Sequence, residues 1–134
     1  MDRILSRIEY SAILLRQYYF VCGEFQRVRP RKADVILLIG VLCPLPMPVC
    51  IKLLKVLKRD CRPGGMVIYS TNQVVMVKND PLTDFLMRLA GWGMDYKTDQ
   101  EAVEIAEKAG WKCIDQFFDD GMRFQCITVA RREA

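Results

Sequence analysis

The chain has 134 residues, 51% of them apolar and 27% charged, with a net charge of +4; that suffices for one domain with its own core and is not a disordered composition. It contains no histidine, which excludes Ser-His-Asp and Cys-His catalysis and any histidine base or metal ligand. No membrane span is expected, because the longest charge-free stretch, Val35 to Ile51, is broken by Pro44, Pro46 and Pro48 and falls short of about 20 apolar residues in helical form.

The first residues, MDRILSRIEYS, carry acids and lack a small-residue cleavage site after an apolar core, so no secretory signal is expected. Over residues 2–18, Ile4, Leu5, Ile8, Ala12 and Leu15 fall on one face and predict an amphipathic helix. Tyr18 to Cys22 reads as a short strand ended by Gly23. The cluster Arg27, Arg29, Arg31 and Lys32 follows around Pro30, with no interleaved aromatics. It reads as a solvated loop rather than a nucleic-acid footprint. Ala33 to Leu42, ADVILLIGVL, suits a central parallel strand covered on both faces.

Pro46 and Pro48 then sit where a helix can begin. Val49, Cys50, Leu53, Leu54 and Leu57 have helical spacing, while Lys52, Lys55, Lys58 and Arg59 occupy the other face and the C-terminal end. Pro63, Gly64 and Gly65 are expected to stop this helix and turn the chain. MVIYST, Met66 to Thr71, reads as a second buried strand. Pro81 to Ala90 predicts an extra helix within a longer insertion, residues 72–97. Thr98 with Glu101 forms a capping box that opens a helix carrying Ala102, Val103, Ile105 and Ala106 and ending at Gly110. Trp111–Phe118 and Phe124–Ala130 read as strands of a hairpin turned by Asp119, Asp120 and Gly121. This order predicts an α/β fold, with parallel strands finishing in an antiparallel hairpin and helices on the faces of one mixed sheet.

The six cysteines form no CxxC pair, and most sit in apolar runs. They read as buried, reduced thiols of a cytoplasmic protein, with no metal site expected. Charge is uneven: residues 1–62 hold 12 Lys/Arg against 5 Asp/Glu, and the remainder 8 against 11.

From about Tyr19 to Arg132 the sequence resembles the C-terminal part of a class I S-adenosylmethionine-dependent methyltransferase. FVCGEF at 20–25 is similar to the family's third strand and its acidic site. ADVILLIGVL at 33–42 is similar to its fourth strand. LLKVLKRDCRPGGMVIYS at 53–70 is similar to its helix, PGG turn and fifth strand, and EAVEIAEKAGWK at 101–112 to its helix and entry to the sixth strand. The resemblance implies a truncated Rossmann-like methyltransferase sheet, in one domain over 1–134, with the last strand inserted antiparallel beside Val67–Thr71.

The same resemblance implies S-adenosylmethionine as cofactor, with adenine near Glu24 and Phe25. Gly40, Val41 and Leu42 follow at the carboxyl edge of the strand, where open α/β sheets bind ligands. Cys43 and Pro44 stand where family members put substrate-facing groups. Ser70 and Thr71 end the next strand on the same edge, where Tyr69, Asn72 and Gln73 are candidates to orient a small or lipid-like acceptor. The apolar insertion 72–97 would be a lid. No catalytic residue is assigned.

The family's Gly-rich cofactor loop has no counterpart here. Counting back from FVCGEF places position 1 near the end of the family's second strand, with Asp2 near the ribose-binding acid. Losing two or three hydrogen bonds of roughly 1 kcal/mol each would weaken cofactor binding by about 10–100-fold or more. The first strand is missing too, which leaves an open edge at Val35–Ile39. That edge is expected to pair with Tyr19–Cys22, with a complementary subunit or, preferred, with a second copy in a homodimer. Three functions therefore compete: a split or partly degenerate methyltransferase, a non-catalytic methyltransferase remnant acting as an interaction or dimerisation module, and an RNA-associated basic protein.

Overall fold

The structure, a computed structural model, describes residues 32–134. The predicted N-terminal helix, the Tyr18–Cys22 strand and most of the basic loop lie outside the described residues. Four strands form one sheet: β1 (Ala33–Leu38), β2 (Cys61–Asn72), β3 (Lys112–Phe118) and β4 (Gln125–Arg131), in the spatial order β1-β2-β4-β3. β1 and β2 are parallel, while β4 runs antiparallel to both β2 and β3. This is the truncated mixed α/β sheet expected, with the last strand beside Val67–Thr71.

Helix α1 (Met47–Lys58) makes the crossover from β1 to β2. Pro48 lies in its first turn and Lys55 and Lys58 in its last, as the helix dipole favours. The PGG segment does not stop this helix. The chain is extended again from Cys61, and Pro63–Gly65 belongs to β2, where the register against β1 shifts between Ala33 and Val35. Gly65 is required there, because an added Cβ would stand 2.6 Å from Cys61 Sγ and 2.7 Å from the Asp34 carbonyl oxygen.

After β2 come α2 (Val74–Asn79), α3 (Pro81–Leu89) and α4 (Asp99–Lys108). Helix α2 was not expected, because three of its six residues, VVMVKN, are β-branched valines that favour strands. α3 and α4 lie as expected. Thr98 Oγ1 accepts from Glu101 N at 3.1 Å, and the Glu101 carboxylate accepts from Thr98 N at 2.8 Å, so the capping box is closed. In the hairpin turn, Asp119 Oδ1 accepts from Gln125 N at 2.6 Å.

The core lies on one face of the sheet. Leu38, Val67, Tyr69 and Ala130 from the strands meet Cys50, Leu54 and Leu57 of α1 and Ile105 and Ala106 of α4. Trp111 Nε1 donates to the Leu54 carbonyl at 3.1 Å and Tyr69 OH to the Ala102 carbonyl at 2.5 Å, so both buried aromatics have polar partners.

The other face differs from expectation. Side chains of paired residues share a face, which groups Val35, Leu37, Met66, Ile68, Ile127, Val129 and Phe117. Leu37 is 64% exposed and Phe117 54%. Among the described residues β1 is thus covered on one face only, and only β2 pairs with it. No helix among the described residues is long and apolar enough to cross a membrane.

Candidate functional site

The carboxyl ends of β1 and β2 lie side by side, because the two strands are parallel. Beyond β1 the chain turns at Gly40, whose φ of +74° suits glycine. Gly40 N donates to Ser70 Oγ at 2.8 Å, which ties the turn to β2. Cys43 is buried next to it, with Sγ 3.8 Å from the Ser70 carbonyl oxygen and 4.0 Å from Ser70 Oγ. Burial pushes the Cys43 thiol up, partly offset by the contact with Ser70, so it stays protonated near neutral pH.

The segment after α3 is stitched onto the same edge. Asp95 N donates to the Cys43 carbonyl at 2.9 Å, and Lys97 N to the Asn72 carbonyl at 2.8 Å. Lys97 is 1% exposed. Its ammonium donates to the carbonyls of Leu45 at 2.8 Å and Asp95 at 2.7 Å, and pairs with Asp95 Oδ1 at 3.1 Å. A buried lysine held by three oxygens is a structural clamp, since the charge is compensated at every donor.

Between the two segments lies a cleft of about 350 Å³, lined by Gly40, Cys43, Pro44, Gly91, Trp92, Gly93 and Met94. An added Cβ at Gly40 would meet nothing within 4 Å, so the backbone there is open to a ligand. The opposite wall is apolar and flat at Trp92, which is 66% exposed. Among the described residues lining this cleft, Cys43 is the one titratable group. The arrangement can therefore hold and orient a small apolar molecule, with little acid–base chemistry of its own.

Of the residues singled out from sequence, Gly40 and Cys43 meet at this cleft. Val41 is exposed, and Leu42 is fully buried in the core. Tyr69 is fully buried as well, with its hydroxyl given to α4, so the structure does not bring it to the cleft. Gln73 is buried and donates to Thr71 Oγ1 at 3.4 Å. Asn72 is 1% exposed and its Oδ1 has no hydrogen-bond partner, the single such side-chain atom among the described residues. Glu24 and Phe25 lie outside the described residues. Gly91, Trp92, Gly93 and Met94 were not singled out; the signal for them was an aromatic between two glycines inside an apolar insertion. No group of three or more Cys, Asp or Glu side chains among the described residues could hold a metal ion.

Comparison with known proteins adds the context. The family model for the O-methyltransferase domain matches residues 6–112. Acetylserotonin O-methyltransferase of Rattus norvegicus is 36% identical over 101 residues, which span 69% of this chain and 22% of that protein. Among solved structures, human N-acetylserotonin methyltransferase in complex with SAM is similar with a TM-score of 0.64 and 22% identity, over 86% of this chain and 34% of that one. The pyocyanin biosynthetic protein PhzM gives a TM-score of 0.72 at 19% identity, over 94% of this chain and 38% of that one. The chain thus spans well under half the length of these relatives.

Proposed function

The chain belongs to the O-methyltransferase domain family, and on that premise we propose that it forms the acceptor-side half of an S-adenosylmethionine-dependent methyltransferase site. The observation that carries this reading is the cleft between Gly40, Cys43 and Pro44 on one wall and Gly91–Met94 on the other. Its position at the carboxyl edge of parallel strands is where such sheets bind ligands.

Bound there, S-adenosylmethionine supplies an electrophilic methyl group. Glu24 would accept from the adenine amino group and Phe25 would cover the ring, as the family resemblance implies. Gly40 leaves room for a close backbone approach. Trp92 and Met94 would pack on a small apolar acceptor, with the segment 72–97 as its lid. Asn72 is the residue on this edge with an acceptor oxygen to spare. With a protonated Cys43 as the titratable group of the described lining, catalysis rests on alignment and exclusion of water rather than on a strong base.

A Gly-rich phosphate- and ribose-side loop has no counterpart in the sequence. These residues therefore supply part of such a site, and a strand added to β1, from the same polypeptide or from a complementary subunit, would complete it. The second reading is a non-catalytic methyltransferase remnant that serves as an interaction module; the edge position of β1 among the described residues favours it.

Calorimetric titration with S-adenosylmethionine, alongside Trp92 fluorescence during titration with a small hydroxylated aromatic, tests the proposal. The expected result is weak cofactor binding, reduced about tenfold by Glu24→Ala, and a fluorescence response lost in Trp92→Phe. Tight cofactor binding indifferent to Glu24→Ala would overturn the adenine-side assignment. No response to either ligand would favour the remnant.

A further inference from the structure

The edge of the sheet opposite the cleft carries one cation on every strand. Lys32 immediately precedes β1, Arg62 is the second residue of β2, Lys112 the first of β3 and Arg131 the last of β4. The pairing directions bring these four strand ends to one edge, in the spatial order Lys32, Arg62, Arg131, Lys112. Neighbouring strands lie about 4.8 Å apart, so the row is roughly 15 Å long. All four residues are exposed. Their distance in sequence hides the row until the sheet is formed. The backbone holds this edge firmly. Ala33 N donates to the Asp60 carbonyl at 2.8 Å, Gly64 N to the Arg132 carbonyl at 2.9 Å and Arg132 N to the Gly65 carbonyl at 2.8 Å. The Arg132 guanidinium donates to the carbonyls of Lys58, at 2.7 Å, and of Cys61, which ties the end of β4 to α1 and β2. Two of the cations have acidic neighbours, but both contacts are open to water: Arg62 with Asp34 at 3.1 Å, and Lys112 with Glu133 at 4.0 Å. Exposed pairs of this kind contribute little and yield to a stronger anion.

We propose that this row binds the phosphodiester backbone of a single-stranded nucleic acid without reading its sequence. Three considerations select this partner. A line of fixed cations, one per strand, matches a linear polyanion, and the guanidinium forks of Arg62 and Arg131 can each donate two bonds to one phosphate. Among the described residues the row offers no exposed aromatic for base stacking and no helix standing out to enter a groove, so its contacts go to the backbone alone. A membrane surface fits poorly, because it takes apolar anchors beside the cations. The exposed Leu82, Phe85, Leu86 and Leu89 belong to α3, which follows the other end of β2. There Asp84 accepts from Tyr96 OH at 2.5 Å, which turns the polar side of that helix inward. Asp80, Asp95, Asp119 and Asp120 follow the carboxyl ends of the strands, so like charge keeps a nucleic acid away from the cleft. The inference does not depend on the methyltransferase reading.

Fluorescence anisotropy of a labelled oligouridylate of about 15 nucleotides, titrated with the full chain between about 50 and about 200 mM salt, tests it. The wild type is expected to bind with a dissociation constant on the order of 10 μM, and four phosphate contacts give a slope of log K against log salt of about −3. Arg62→Gln plus Arg131→Gln should weaken binding at least about tenfold at the lowest salt and bring the slope to about −1.5. Lys78→Gln plus Arg88→Gln removes the same net charge away from the row and should change neither. If the first double variant fails to fold, Lys112→Gln alone should still make the slope shallower by about 0.7. An absence of binding at the lowest salt would overturn the proposal. So would a wild-type slope retained in folded row variants, or an equal loss in the Lys78 and Arg88 variant, which would report net charge alone. Co-sedimentation with phosphatidylserine vesicles, without oligonucleotide binding, would assign the row to a membrane surface instead.

Discussion

Tyr69 illustrates how a residue's neighbours decide its role. Its position near the end of β2 suggested an acceptor contact, but alternation along the strand turns it to the face on which α4 packs. Burial raises its phenol well above the usual range, so it is a neutral donor locked onto the Ala102 carbonyl. Tyr69→Phe should cost about 1 kcal/mol and lower the melting temperature by a few degrees, with the Trp92 response to an aromatic ligand unchanged. A melting temperature equal to that of the wild type would show the bond to be dispensable. At this scale the sequence was readable where chemistry is local. The carboxyl edge of the aliphatic strand pointed to Gly40, and the family resemblance pointed to Cys43. Which face Tyr69 takes, and that Lys97 is buried beneath three oxygens, depends on packing between distant segments.

Among the elements, α1, α4 and the hairpin were legible because their signals agree: apolar spacing, a closed capping box and turn residues each favour one local geometry. The PGG segment was misread because the same residues serve two purposes. They end helices, and they also allow a tight strand irregularity. In β2 the second use wins, with Gly65 packed against Cys61 Sγ and the Asp34 carbonyl. Gly65→Ala should therefore destabilise the fold by about 1–3 kcal/mol, as overpacking does, read as a shift of the urea midpoint. A neutral substitution would mean that the β1–β2 irregularity relaxes freely. The boundaries of α3 were readable too, but its amphipathic pattern could not show which side faces inward. That is set by the Asp84–Tyr96 bond outside the helix.

For the whole molecule, the layer arrangement departs most from what composition implied. An unbroken aliphatic run such as VILLI reads as a strand buried on both faces, yet among the described residues β1 has one covered face. Leu38 and Leu37 should report this difference. Leu38→Ala, in the core, is expected to cost about 2–5 kcal/mol, and Leu37→Ala less than about 0.5 kcal/mol, by thermal or urea unfolding. Comparable losses would mean that the outer face is covered in solution. The strand order was legible only through the family resemblance, because nothing local in residues 125–131 says that they belong between β2 and β3. That placement governs the order of events on the ribosome. The strand made last of the four is interior in space, so β2 and β3 have no common partner until it has emerged. A nascent chain can wind α1 and α4 early, but it must keep β2 in a half-paired state until β4 has been made. The growing protein is then most prone to mispairing just before β4 emerges.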